Sequence, residues 1–184
     1  MSEGISKSER VTQRRVIDLM CSSLGWRFLG DWSDRVANDC IDEPMLTAFL
    51  QRSGYGLAHI SAALNRLRDA ASIHGRSLYE ANQAVYGLLR YGVSVKVEAG
   101  KNSETVHLLN WLQPEQNDFA IAEEVTLKGG YERRPDVVFY VNGLAVGVLE
   151  LKNSRVSIGD GIRQSLSNQR PEFNDWFFST VQLV

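Results

Sequence analysis

The sequence predicts an α/β fold of the α+β kind: a helical N-terminal half over residues 1–92, then a mixed central sheet flanked by helices over residues 93–184. Three observations carry this expectation. Apolar residues recur at helical spacing up to Gly92 and at a spacing of two from Val93 onward. Two runs, Asp136 to Val141 and Leu144 to Leu151, are apolar on both faces, as expected of central strands covered by helices. Finally, 184 residues that are 43% hydrophobic and 23% charged suffice for one domain with a real core.

The helices follow from their ends. Ser6 and Glu9 have capping-box spacing. Ile17, Met20, Cys21 and Leu24 then share a face, and Gly25 suits the C′ position. Asp42 can cap a second helix with Leu46, Phe49 and Leu50 inward and Gly54 as its stop. Leu57, Ile60, Leu64 and Leu67 mark a third, ending near Gly75. Ser77 and Glu80 make another capping box, before Leu78, Val85, Leu88 and Leu89, and Gly92 ends that run.

The strands come next. Val93, Val95 and Val97 alternate with polar residues. Thr105 to Leu109 and Asn117 to Leu127 are two further strands, the latter with Phe119, Ile121 and Val125 as apolar members. Beyond the two central runs, Ser157 to Gln169 reads as a helix ended by Pro171, and Phe177 to Val184 as a closing strand. The apolar end, DWFFSTVQLV, is expected to continue into a longer protein.

Composition excludes several function classes. No apolar run approaches twenty residues, so no membrane span is expected. The polar start, MSEGISKSER, is no secretory signal, so a cytoplasmic location is expected. Cys21 and Cys40 lack ligand-like spacing and read as reduced thiols. A net charge of −2 is unlike a stand-alone nucleic-acid binder. Gly100-Lys101-Asn102-Ser103 lacks the upstream glycine of a phosphate loop. Trp26, Trp32, Trp111 and Trp176 read as packing residues.

The chemistry concentrates in RPDVVFYVNGLAVGVLELK, Arg134 to Lys152. Buried carboxylates are costly unless paired or bound to metal. Asp136 and Glu150, beside Lys152, therefore suggest a divalent-metal site that handles phosphate. Asn142-Gly143 between apolar runs signals a hairpin. A two-residue loop pairs Val141 with Leu144 and Asp136 with Leu149, which puts Asp136 on the wrong face. A three-residue loop pairs Tyr140 with Leu144 and returns Asp136 to the face of Glu150. The chemistry thus requires an odd-length loop or a bulge. Glu150 and Lys152 would lie about 6.6 Å apart along their strand, at a rise of roughly 3.3 Å per residue. Two carboxylates suit Mg²⁺ through oxygen ligands, and His59, His74 and His107 are too scattered for zinc.

Taken alone, the pattern is weak. By itself Asp136 reads more readily as a strand-start residue after Pro135 than as a metal ligand, and Glu150 with Lys152 reads equally as an edge-strand ion pair. The surroundings make it specific. PD followed by ELK resembles the PD-(D/E)xK nuclease superfamily. NDFAIAEEVTLKGGYERRPDVVFYVNGLAVGVLELK is similar to the N-terminal nuclease domain of the restriction (R) subunit of type I restriction-modification enzymes, with VHLLNW and Asn117 also fitting. The resemblance covers Val93 to Val184 well and the helical half loosely.

The resemblance implies a PD-(D/E)xK core and Mg²⁺-dependent hydrolysis of double-stranded DNA. It implies Asp136 and Glu150 as metal-binding acids and Lys152 as the catalytic lysine. It also implies a Gln-x-x-x-Tyr element after ELK, for which Gln169 to Phe173 has the Gln and the spacing, with Phe in place of Tyr. Related nucleases carry an acid on the first helix, and Gln13 lies near that place. Arg134, Arg155 and Arg163 are expected DNA contacts. Modification and specificity subunits are the implied partners, and ATP would act only through a motor domain beyond residue 184. The rivals are another PD-(D/E)xK nuclease, of repair or junction type, and a docking module with a degenerate site.

Overall fold

A computed structural model of the chain describes residues 7–98, 100, 102–128, 131–151, 158–170 and 174–184. Its first helix, α1, spans Lys7–Leu24. Strand β1, Arg27–Asp31, follows directly. The first half, expected to be helical, thus also contributes one strand. β1 joins the central sheet parallel to β4, Phe119–Glu123, with a register shift between Phe28 and Gly30. It is an edge strand with no fully buried residue, so no alternating apolar pattern advertises it.

Helix α2 spans Glu43–Arg52, and the Asp42 carboxylate accepts the Met45 amide at 3.1 Å as its N-cap. α3 spans Leu57–Ala71. α4 spans Leu78–Tyr91 with the expected capping box, Ser77 and Glu80 each bonding the other's backbone amide. Strands β2, Val93–Val95, and β3, Glu104–Val106, form a separate antiparallel pair packed against α3 rather than part of the central sheet.

The central sheet has the order β1-β4-β5-β6, where β5 is Val137–Val141 and β6 is Leu144–Leu149. Its last three strands are antiparallel to one another. The sheet is therefore mixed, as expected. One face carries Ala120, Ala122, Val138, Tyr140, Ala145 and Val148 into the main core with Leu46, Leu50, Leu67 and Val85 from α2, α3 and α4. The other face carries Ile121 and Val137 against Ile17 of α1, with Trp26 edge-on to Phe139. Covering both faces explains why β5 and β6 read as continuous apolar runs.

Helix α5 spans Ile158–Asn168. The expectation of a closing strand at Phe177 to Val184 is corrected. Asp175–Ser179 is a 3₁₀ helix that buries both Phe177 and Phe178, and only Leu183 makes a parallel bridge, to Gly147. Two consecutive buried aromatics cannot both face a core from a strand. The carbonyls of Phe178, Ser179 and Val181 are bonded by the side-chain amide of Asn82 on α4. Among the described residues no helix is long and apolar enough to cross a membrane.

Candidate active site

The site begins at the hairpin turn. Asn142 (φ 53°) and Gly143 (φ 84°) are both left-handed, as a two-residue type I′ loop requires. Asn142 is fully buried; its side chain donates to the Leu108 carbonyl at 2.9 Å and accepts the Asp118 amide at 2.7 Å. Gly143 is packed against α2, and a Cβ there would lie 2.6 Å from the Asp42 carbonyl oxygen.

The loop is thus two residues long, and the register is rescued by the other route. Tyr140 pairs with Ala145 but Phe139 pairs with Gly147, so Val146 is an extra residue on β6. The chain's own end holds this bulge, because the Val146 carbonyl accepts the amides of Gln182 and Leu183 at 2.9 and 3.2 Å. Beyond the bulge Val137 pairs with Leu149. Continued one step past this last pair, the register puts Asp136 opposite Glu150, just beyond the ends of β5 and β6. Directly opposed residues of an antiparallel pair share a face, with Cβ atoms about 4.5–5.5 Å apart.

Each acid is held. Asp136 Oδ2 accepts the Leu151 amide at 2.5 Å. Glu150 receives two side-chain amides from α5, Asn168 at 3.2 Å on Oε1 and Gln164 at 3.4 Å on Oε2. Gln164 and Asn168 are four residues apart, so they share a helix face. This pair has the spacing of the expected Gln-x-x-x-Tyr element, with Asn in place of Tyr. Gln169, chosen from sequence, lines a different groove with Leu78, Asn82 and Val181. Sequence reading missed Gln164 and Asn168, although Gln164 stands at the same spacing; the cue was which helix face meets Glu150.

A second layer backs Asp136. Gln13 of α1 is 3% exposed, and its amide donates to Glu123 at 2.9 Å, to Glu124 at 3.1 Å and towards the Asp136 carbonyl at 3.5 Å. Glu124 is left-handed (φ 52°), and its backbone amide donates to the Asp136 carbonyl at 2.9 Å. Burial pushes the Glu124 carboxyl above its ordinary value, partly offset by the Gln13 amide and Arg134. Gln13, absent from the expected catalytic set, thus ties the first helix to the strand that carries Asp136.

The basic residues divide. Arg134, an expected DNA contact, is ion-paired with Glu124 at 2.9 Å. Arg163 is exposed and pairs with Asp160 on its own helix. Lys152, Arg155 and Phe173 lie outside the described residues.

Among the described residues no group of three or more His, Cys, Asp or Glu side chains is placed to hold a metal. The continued register puts two carboxylates on one face just past the ends of β5 and β6, and an all-oxygen pair fits a hard cation such as Mg²⁺, which keeps several water ligands. The arrangement can hold such a cation at the end of the hairpin, with α5 fixing one ligand and the backbone of Leu151 the other.

A family model described as type I restriction enzyme R protein N terminus matches residues 6–184, essentially the whole chain. No curated protein matches the chain.

Proposed function

The chain belongs to the family of type I restriction enzyme R protein N-termini, and from that premise we propose that it is a Mg²⁺-dependent endonuclease domain that hydrolyses phosphodiesters of double-stranded DNA. One observation supports the reading: the bulge at Val146 corrects the parity of a two-residue turn, so that the register, continued past Val137 and Leu149, puts Asp136 opposite Glu150. A flat hairpin with the same turn would have separated the two acids by a sheet.

Asp136 and Glu150 would hold the Mg²⁺. When bound, the ion supplies Lewis-acid polarisation of the phosphodiester and lowers the pKa of an attacking water. The protein's part is preorganisation. Gln164 and Asn168 fix both oxygens of Glu150, and the Leu151 amide fixes Asp136, so neither carboxylate must reorient during reaction. Lys152, two residues beyond Glu150, supplies positive charge to the phosphate as negative charge builds there. DNA would be delivered by the modification and specificity subunits and by an ATP-driven motor.

Calorimetric titration of this chain with Mn²⁺, a spectroscopically useful stand-in for Mg²⁺, tests the metal assignment without relying on activity. One divalent site is expected in the unsubstituted chain, lost in Asp136→Asn and in Glu150→Gln. A site of unchanged affinity in both variants would place the cation elsewhere.

A further inference from the structure

Two consecutive arginines before β5 serve different neighbours. Arg134 is engaged by Glu124. Arg133 lines an open cleft of about 630 Å³ together with Arg163, Gln164, Leu166, Ser167 and Arg170. The backbone of Arg133 is fixed by an antiparallel bridge to Leu127, whose amide donates to the Arg133 carbonyl at 2.7 Å. Arg163 and Arg170 come from the other wall, α5 and the turn that follows it. Three arginines from two separate parts of the chain therefore line the cleft.

Its position matters as much as its charge. Gln164 lines the cleft and also reaches Glu150 Oε2 at 3.4 Å. One side chain thus touches both the cleft and Glu150. The Arg163–Asp160 pair does not close it: both side chains are more than half exposed and three residues apart on one helix. Such pairs hold weakly in water, and a guanidinium so placed exchanges readily to a phosphate, whose oxygens match its fork of donors.

We propose that this cleft is a phosphate-backbone site for the DNA strand, with Arg133, Arg163 and Arg170 as its contacts and Gln164 as its boundary with the acids. The proposal deepens the nuclease reading and rests on it for the choice of DNA as ligand. It also accounts for how a chain of net charge −2 meets a polyanion: the positive charge is gathered locally, beside the acids.

The test is the salt dependence of binding of a fluorescein-labelled duplex to this chain, read by anisotropy at low ionic strength. Arg163→Gln and Arg170→Gln are exposed substitutions, with thermal melting as the check on folding. Each is expected to lower the slope of log affinity against log salt by about 0.9, the value for one lost phosphate contact. Arg133→Gln should do the same, and Arg134→Gln should leave the slope unchanged. An unchanged slope in the Arg163→Gln/Arg170→Gln double variant overturns the proposal, as does the absence of measurable binding by the unsubstituted chain at the lowest salt. Failure of the nuclease reading would look different. Cleavage by the assembled enzyme would survive Asp136→Asn while the slopes still responded to the arginines.

Discussion

Replacing Gly143 by alanine tests the packing that sets the hairpin register. Two costs add. At φ 84° an L-residue is left-handed, a penalty of about 1–2 kcal/mol. The new Cβ would also lie 2.6 Å from the Asp42 carbonyl oxygen, 2.8 Å from the Leu46 amide nitrogen and 2.8 Å from the Met45 Cβ. These atoms belong to the cap and first turn of α2 and cannot rotate aside. The Gly143 carbonyl already accepts the Asp42 amide at 2.7 Å, so the turn cannot withdraw without losing that bond. Forcing atoms into such a contact costs about 1–3 kcal/mol. The sum is about 2–5 kcal/mol. With a urea m-value of about 2 kcal/mol/M, the unfolding midpoint should fall by about 1–2.5 M. Gly25→Ala is the control, because Gly25 is also left-handed (φ 71°) but has nothing within 4 Å of its added Cβ. It should show the backbone cost alone, a midpoint shift of about 0.5–1 M. Equal shifts for the two variants would refute the argument that the turn is wedged against α2.

Three other outcomes follow from the site. Asn168 is 2% exposed and holds Glu150 Oε1, so Asn168→Ala should raise the Mg²⁺ midpoint of cleavage by about 10–100-fold, the usual cost of losing an outer-shell partner; an unchanged Mg²⁺ midpoint would contradict this role. The raised Glu124 pKa means that the folded state binds more protons than the unfolded state between the ordinary carboxyl value and the raised one. Glu124 should therefore make the chain less stable as pH rises through that window and more stable as pH falls back through it, and urea midpoints against pH should lose this component in Glu124→Gln. The unsubstituted chain should bind duplex DNA only with the roughly 10⁻⁴ to 10⁻⁶ M affinity of non-specific contacts; nanomolar binding near physiological salt would mean that DNA is held mainly by this chain.

Local signals made much of the fold readable. Asp42, the Ser77–Glu80 pair and Gly92 mark helix ends because capping is a short-range hydrogen-bond problem that a few residues solve alone. Asn142-Gly143 is legible for the same reason. β1 was not, because an edge strand with two adjacent apolar residues takes its identity from pairing with β4, ninety residues away in sequence. The end of the chain misled because Trp176, Phe177 and Phe178 have strong strand propensity, while the local conformation is decided by Asn82 on α4. At the site, the acids were legible from an unusual composition in an apolar hairpin, and the need for a bulge or an odd loop followed from parity. Which of the two occurs was not legible. It depends on the Gln182 and Leu183 amides meeting the Val146 carbonyl, a contact between distant segments. Gln164 and Asn168 were missed, and Gln169 chosen instead, because spacing alone does not say which face of α5 meets Glu150. Arg134 reads like Arg133 in sequence, and its pairing with Glu124 is a tertiary contact that sequence does not show.

The nuclease reading makes Asp136 and Glu150 indispensable for DNA cleavage. Its most direct test is plasmid cleavage by the assembled enzyme with Mg²⁺ and ATP, comparing the unsubstituted R subunit with Asp136→Ala, Glu150→Ala and Lys152→Ala, while ATP hydrolysis is followed in the same reactions. Each substitution is expected to abolish cleavage and leave ATP hydrolysis largely intact. Cleavage retained by Glu150→Ala would contradict the account.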